Sequence, residues 1–170
     1  MIIIMLIGPP GSGKTTFAKL LSQKLNAIHI ERDFIMKQCQ ELGFGRNKTK
    51  SIFRDKVNIL CQNSNIIIFD SCNSNKETRL SILNCYQLNK LIYINFYIHD
   101  LKNKISWLLH RCQNRIDHPI FPKSSDHQIS ELHKCLLKFT YGHIDECNFI
   151  LNIYPEYDDY TDIIDTLSIC

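Results

Sequence analysis

Met1-Ile-Ile-Ile-Met-Leu-Ile7 followed by Gly8-Pro9-Pro10-Gly11-Ser12-Gly13-Lys14-Thr15-Thr16 decides the fold. An apolar run of strand length meets a glycine-rich turn, and the Lys-Thr-Thr triplet leads into a helical pattern. Gly8 and Gly13-Lys14-Thr15 satisfy G-x-x-x-x-G-K-[ST], the P-loop pattern. Glycine tolerates dihedrals that other residues resist, so successive N–H groups can turn inward into an anion-binding nest. The helix that starts near Gly13 adds its positive end. Pro9, Pro10, Gly11, Ser12 and Thr16 complete the loop expected to cradle phosphates. Lys14 is expected to reach the β- and γ-phosphates, and the Thr15 hydroxyl to hold Mg²⁺ or Mn²⁺.

Outward from this stretch, apolar segments alternate with helical periodicity. Phe17, Leu20, Leu21 and Leu25 mark a helix to about Asn26, and Ala27-Ile-His-Ile30 a short strand with Glu31-Arg32-Asp33 at its carboxyl end. A helix through about Leu42, a Gly43-Phe-Gly45 break and a basic segment leading into a helix to Cys61 follow. Ile66-Ile-Ile-Phe69 is a buried strand closed by Asp70. A polar loop from Ser71 to Asn75 and a helix over 76–88 come next. Leu91 to Ile98 reads as a strand, and His99-Asp100 as the cap of a helix to about Gln113. A proline-bearing loop spans 114–127, with a helix from Asp126 to Leu137. Phe149 to Ile153 is a last strand before a short helix. This alternation predicts an α/β chain with a P-loop NTPase fold: a five-stranded parallel sheet covered by helices on both faces. One domain is expected over 1–170, with an arginine-bearing helical lid at about 100–127. Ligands of such sheets bind beyond the carboxyl ends of the strands, where the P-loop, Asp33 and Asp70 all fall.

The 170 residues are 44% hydrophobic and 22% charged, ordinary for a globular chain. No apolar run approaches a membrane span, and the first strand lacks the basic flank of a signal peptide. An intracellular location, cytoplasmic or nuclear, is therefore expected, with no membrane partner. Eight cysteines fall without a C-x-x-C pair, so reduced thiols are expected rather than disulfides or zinc. The net charge is +3, but residues 151–170 hold five acids and no Lys or Arg. The first 150 residues hold all 20 basic side chains against 12 acidic ones, a formal +8. The basic excess thus lies on the part that holds the P-loop.

Asp70, closing a hydrophobic strand, suits the acid that orders Mg²⁺ directly, through water or through Thr15. Asp33 suits either the acceptor of a proton from an attacking hydroxyl or an N-cap for the helix after it, and Arg32 beside it could hold a phosphate. Arg111 and Arg115, four apart on one helix face, suit a lid that closes over phosphates. His118 stands in the following loop, and His110 is read as surface. Arg46 to Lys56 fits an acidic substrate backbone or a solvated face equally well. Tyr86, Tyr93, Phe96 and Tyr97 are read as core.

Three of these segments resemble the 5′-kinase domains of phage polynucleotide kinase and of fungal-type tRNA ligases. Ile30-Glu31-Arg32-Asp33-Phe34-Ile35 is similar to the Arg-Asp-Asp segment of the phage enzyme, which implies Asp33 as general base for a 5′-hydroxyl. Ile66-Ile-Ile-Phe-Asp70-Ser-Cys-Asn73, running on to Glu77-Thr-Arg79-Leu80, is similar to the strand, loop and helix of these kinases. It implies Asn73 and Arg79 as substrate contacts. Leu108-Leu-His-Arg111-Cys-Gln-Asn-Arg115 is similar to the lid helix. Asp117-His118 is similar to an Asp-Asn-His stretch of the ligase kinases, without its Asn, and implies His118 as a substrate contact. The resemblance reaches from residue 1 to about 120. It implies transfer of the γ-phosphate of ATP or GTP to the 5′-OH end of RNA, favoured over DNA, in end healing or tRNA repair. No ligase or phosphatase motif is present, so a separate ligase or phosphatase would act on the same ends. A kinase of a nucleoside or small metabolite is the nearest alternative, and a seryl-tRNA kinase-like enzyme lies between it and the polynucleotide kinase reading. A nucleotide-dependent switch is the next, although no Asn-Lys-x-Asp base-reading segment is present.

Overall fold

A computed structural model describes residues 1–62, 64–83, 89–114 and 125–167. Its strands are β1 (Ile2–Ile7), β2 (Ile28–Glu31), β3 (Ile66–Asp70), β4 (Lys90–Phe96) and β5 (Phe149–Ile153). They form one sheet in the order β2-β3-β1-β4-β5, every neighbouring pair parallel. The helices are α1 (Lys14–Leu25), α2 (Arg32–Glu41), α3 (Arg46–Gln62), α4 (Lys76–Leu83), α5 (Ile105–Gln113), α6 (Ser125–Leu137) and α7 (Tyr160–Thr166).

The chain runs from β1 outward to one side and later to the other, so β1 lies at the point where strand order reverses. Open parallel sheets place their ligand crevice there, and the P-loop leaves the carboxyl end of β1. Ile3 to Ile7 are wholly buried because helices cover both faces. Alternate residues feed two cores. Ile3, Met5 and Ile7 pack with Val57, Ile67, Phe69 and Tyr93. Ile4 and Leu6 pack with Phe17, Ala18, Leu21, Ile94 and Phe96. Register sets Leu6 beside Asp70 and Glu31 beside Asp70, bringing the ends of β1, β2 and β3 together.

Four boundaries differ from the sequence expectation. The helix foreseen after His99-Asp100 begins only at Ile105, with Lys104 at its N-cap. Asp100 has φ 52°, outside the extended region an N-cap needs, and its carboxylate accepts from Asn103 Nδ2 at 2.6 Å in a local turn. Strand β4 stops at Phe96, so Tyr97 is exposed and stacks on Tyr141 with centroids 4.7 Å apart instead of entering the core. Helix α2 starts one residue before Asp33, so Asp33 sits in the first turn and Glu31 is the N-cap. Helix α3 begins at Arg46 itself. Residues 84–88 of the helix foreseen over 76–88 lie outside the described residues, as does Tyr86.

Candidate functional site

The phosphate loop owes its shape to two left-handed glycines, Gly11 at φ 86° and Gly13 at φ 97°. A Cβ on Gly11 would meet the Leu108 carbonyl oxygen at 2.7 Å, and one on Gly13 would strike the Tyr160 hydroxyl. These contacts bring α5 and α7 against the loop. The Tyr160 hydroxyl donates to the Ser12 carbonyl at 3.1 Å, and its ring stands edge-on to Phe17 and Phe96. The acidic C-terminal segment therefore braces the loop through Tyr160.

Pro9, Pro10, Gly11, Ser12, Gly13 and Lys14 are all buried. The Lys14 ammonium donates to the Pro9 carbonyl at 2.8 Å and to the Ser12 hydroxyl at 3.3 Å, folded back onto its own loop. Thr15 is half-buried and Thr16 exposed in the first turn of α1. From α5, Arg111 Nε donates to the Gly11 carbonyl at 2.8 Å, with its guanidinium over the Trp107 ring at 4.7 Å. Between loop and helix lies a cavity of about 370 Å³ lined by Gly11, Gly13, Thr16, His110, Arg111 and Asn114. His110, read from sequence as plain surface, is thus part of its wall. Arg115 and His118 lie outside the described residues.

On the other side of β1, the Asp70 carboxylate is nearly buried, and its Oδ2 lies 3.1 Å from His29 Nε2. Glu31 completes a triad in which all three ligand atoms lie within 4.8 Å of one another. Burial raises the Glu31 carboxyl above the usual carboxylate range, and the charge of Asp70 adds to this. Asp33 is half-buried and Arg32 exposed. A second cavity of about 280 Å³ opens there, lined by His29, Ile30, Glu31, Phe34, Ile35 and Leu60. His29 and Glu31 were not singled out from sequence, although their spacing of two on a strand puts them on one face.

Two expected substrate contacts are turned inward. Asn73, at φ 45° and 1% exposed, donates to the Leu6 carbonyl at 2.7 Å and accepts from the Ser71 hydroxyl at 2.7 Å. Arg79, also 1% exposed, makes a two-pronged pair with Glu146, both bonds 2.9 Å. It donates further to the carbonyls of Asn73 at 3.0 Å and Thr140 at 2.9 Å. A guanidinium so spent holds the loop after β3 and offers nothing to a substrate.

Lys48, Lys50, Arg54 and Lys56 are exposed along α3, Lys48 over the Phe44 ring and Lys56 bonded to Gln38. The Arg46 side chain lies outside the described residues. Cys39, Cys72, Cys112, Cys135 and Cys147 are not joined in disulfides. Among the described residues no helix is long and apolar enough to cross a membrane.

The model of the family described as AAA domain matches residues 3–126. An adenylate kinase of Mycoplasma capricolum subsp. capricolum is 34% identical over 131 residues, 69% of this chain and 60% of that one. A shikimate kinase of Flavobacterium psychrophilum is 26% identical over 175 residues, 97% of this chain and 91% of that one. Across three of the curated relatives it matches, the chain spans between 22% and 60% of their length. Among solved structures, a fungal RNA kinase superposes with a TM-score of 0.66 at 14% identity, covering 96% of this chain and 81% of that one. At that identity the likeness shows the fold alone.

Proposed function

The chain belongs to the family of P-loop AAA domains, and from that premise we propose that it is an NTP-dependent polynucleotide 5′-hydroxyl kinase, acting on RNA in preference to DNA. The observation that carries the phosphoryl-transfer part is the Arg111 bond to the Gly11 carbonyl, a cation of a lid helix docked on the phosphate loop. Loop amides and Lys14 bind the phosphates of ATP or GTP. The Lys14 ammonium leaves the Pro9 carbonyl when phosphate arrives.

Thr15 and Asp70 supply hard oxygen donors, a set that fits Mg²⁺ or Mn²⁺. An ion held there would neutralise phosphate charge. Asp33 accepts the proton as the 5′-oxygen bonds to the γ-phosphorus and the bond to the β,γ-bridging oxygen breaks. Arg111, with Arg115, stabilises charge on the transferring group. Arg32 holds the acceptor's 3′-phosphate.

Exposed Arg32 beside half-buried Asp33, and the basic outer face of α3, support an acceptor with a phosphate backbone. The fold shared with an enzyme named fungal RNA kinase is compatible with it. A small-metabolite kinase is the second reading. The relatives named adenylate and shikimate kinase favour it, as does the cavity of about 280 Å³ beside β2. Labelled ATP and GTP offered with 5′-OH RNA, 5′-OH DNA and nucleosides separate the two. Transfer to nucleosides with none to oligonucleotides would leave only the second.

Replacing Arg111 by alanine is expected to lower turnover by about 10²–10³-fold with little change in KM for nucleotide, measured by steady-state kinetics. Unchanged turnover would return Arg111 to a structural brace for Gly11.

A further inference from the structure

An imidazole stands in the acidic corner beside β1. Mg²⁺ prefers oxygen ligands, whereas imidazole nitrogen suits zinc, cobalt and their neighbours. His29 and Glu31 share one face of β2, and Glu31 is in register with Asp70 on β3. The His29 and Asp70 ligand atoms are already 3.1 Å apart, and the three lie within 4.8 Å. Around an ion with metal–ligand bonds of about 2.1 Å, tetrahedral neighbours stand roughly 3.4 Å apart. A side-chain rotation moving Glu31 by on the order of an ångström would close the set. The second cavity reaches His29 and Glu31, giving an ion a way in and room for a water as fourth ligand. Among the described residues no lysine or arginine is hydrogen-bonded or ion-paired to Glu31 or Asp70, and Lys19 acts on Glu31 through its charge alone.

We propose that His29, Glu31 and Asp70 form a site for a transition-metal dication of the Zn²⁺ class, and that its occupancy inhibits the enzyme. The ion takes the place of the hydrogen bond between His29 and Asp70. The inhibitory half rests on the reading of Asp70 as the acid that orders Mg²⁺, because an ion held by His29 and Glu31 draws that carboxylate away. The metal-binding half stands without it.

The test titrates the full chain with Co²⁺ in excess Mg²⁺ and follows the visible ligand-field bands, with Zn²⁺ as competitor. One Co²⁺ is expected to bind and to be displaced by an equivalent of Zn²⁺. His29→Gln and Glu31→Gln are each expected to weaken Co²⁺ by about tenfold or more, with metal-free melting curves checking that both variants fold. Equal binding by wild type and both variants would overturn the site. So would displacement by equimolar Mg²⁺, or a thiolate charge-transfer band showing that cysteines hold the ion. A second arm measures Zn²⁺ inhibition of Mg²⁺-supported phosphotransfer, each protein scaled to its own zinc-free rate. The inhibiting Zn²⁺ concentration is expected to rise about tenfold or more in His29→Gln. Co²⁺ binding with no phosphotransfer to any acceptor would sink the kinase reading and leave the metal site standing. Phosphotransfer without this Co²⁺ site would do the reverse.

Discussion

Asp33→Ala is expected to lower the rate of transfer to a 5′-OH oligonucleotide by about 10²–10⁴-fold, the range over which a positioned general base acts. Nucleotide binding should survive, because the phosphate loop leaves β1 while Asp33 belongs to the first turn of α2. Melting curves of the variant check that it folds. Asp33 is half-buried and is not the N-cap of α2. Its favourable position near the helix dipole is worth only about 0.3–1 kcal/mol. Asp33→Asn separates the roles further: an amide keeps the shape and cannot take the proton, so it should be nearly as slow as alanine. Wild-type turnover in either variant, measured under single-turnover conditions with saturating nucleotide, would end the assignment.

Arg79→Leu is expected to be the most destabilising substitution considered, at about 3–5 kcal/mol. The guanidinium and Glu146 are 1% and 4% exposed, and removing the cation leaves a buried carboxylate unpaired. The carbonyls of Asn73 and Thr140 lose a donor as well. For a chain of this size each kcal/mol moves the melting temperature by about 2–4 °C, so the midpoint should fall by about 6–20 °C. Converting both partners, Arg79→Leu with Glu146→Leu, should recover much of the loss, since an apolar pair carries no desolvated charge. Thermal unfolding of the three variants checks this. A loss below about 1 kcal/mol, the worth of an exposed pair, would contradict the buried role and reopen Arg79 as a substrate contact.

Much of this architecture was legible in the chain, for local reasons. The P-loop octet states its own geometry, because only glycine takes the backbone angles of Gly11 and Gly13 without strain. The apolar runs of β1 and β3 announce strands buried on both faces. The acids that close the second and third strands fall at the ligand end of any parallel sheet. What was not legible depends on contacts far apart in sequence. His29 meets Asp70 across 41 positions, Arg79 meets Glu146 across 67, and Tyr160 reaches Ser12 across 148. Each follows from the strand order β2-β3-β1-β4-β5, which periodicity does not encode. Asn73 and Arg79 show the consequence. A polar side chain near a site reads the same in sequence whether it faces substrate or ties down the loop beneath it. His110 shows the converse, an exposed residue that turns out to line the cavity at the phosphate loop.

One transfer assay tests kinase chemistry on a polynucleotide end directly. Enzyme, Mg²⁺ and γ-labelled ATP or GTP are mixed with a 5′-OH RNA oligomer, its 5′-phosphorylated twin and a matched nucleoside, and the label is followed into acceptor. Label is expected on the 5′-OH oligomer, none on the phosphorylated twin, little on the nucleoside, and loss of transfer in Asp33→Ala. Label on the nucleoside with none on the oligomer, or hydrolysis without any acceptor labelled, would contradict the polynucleotide kinase reading.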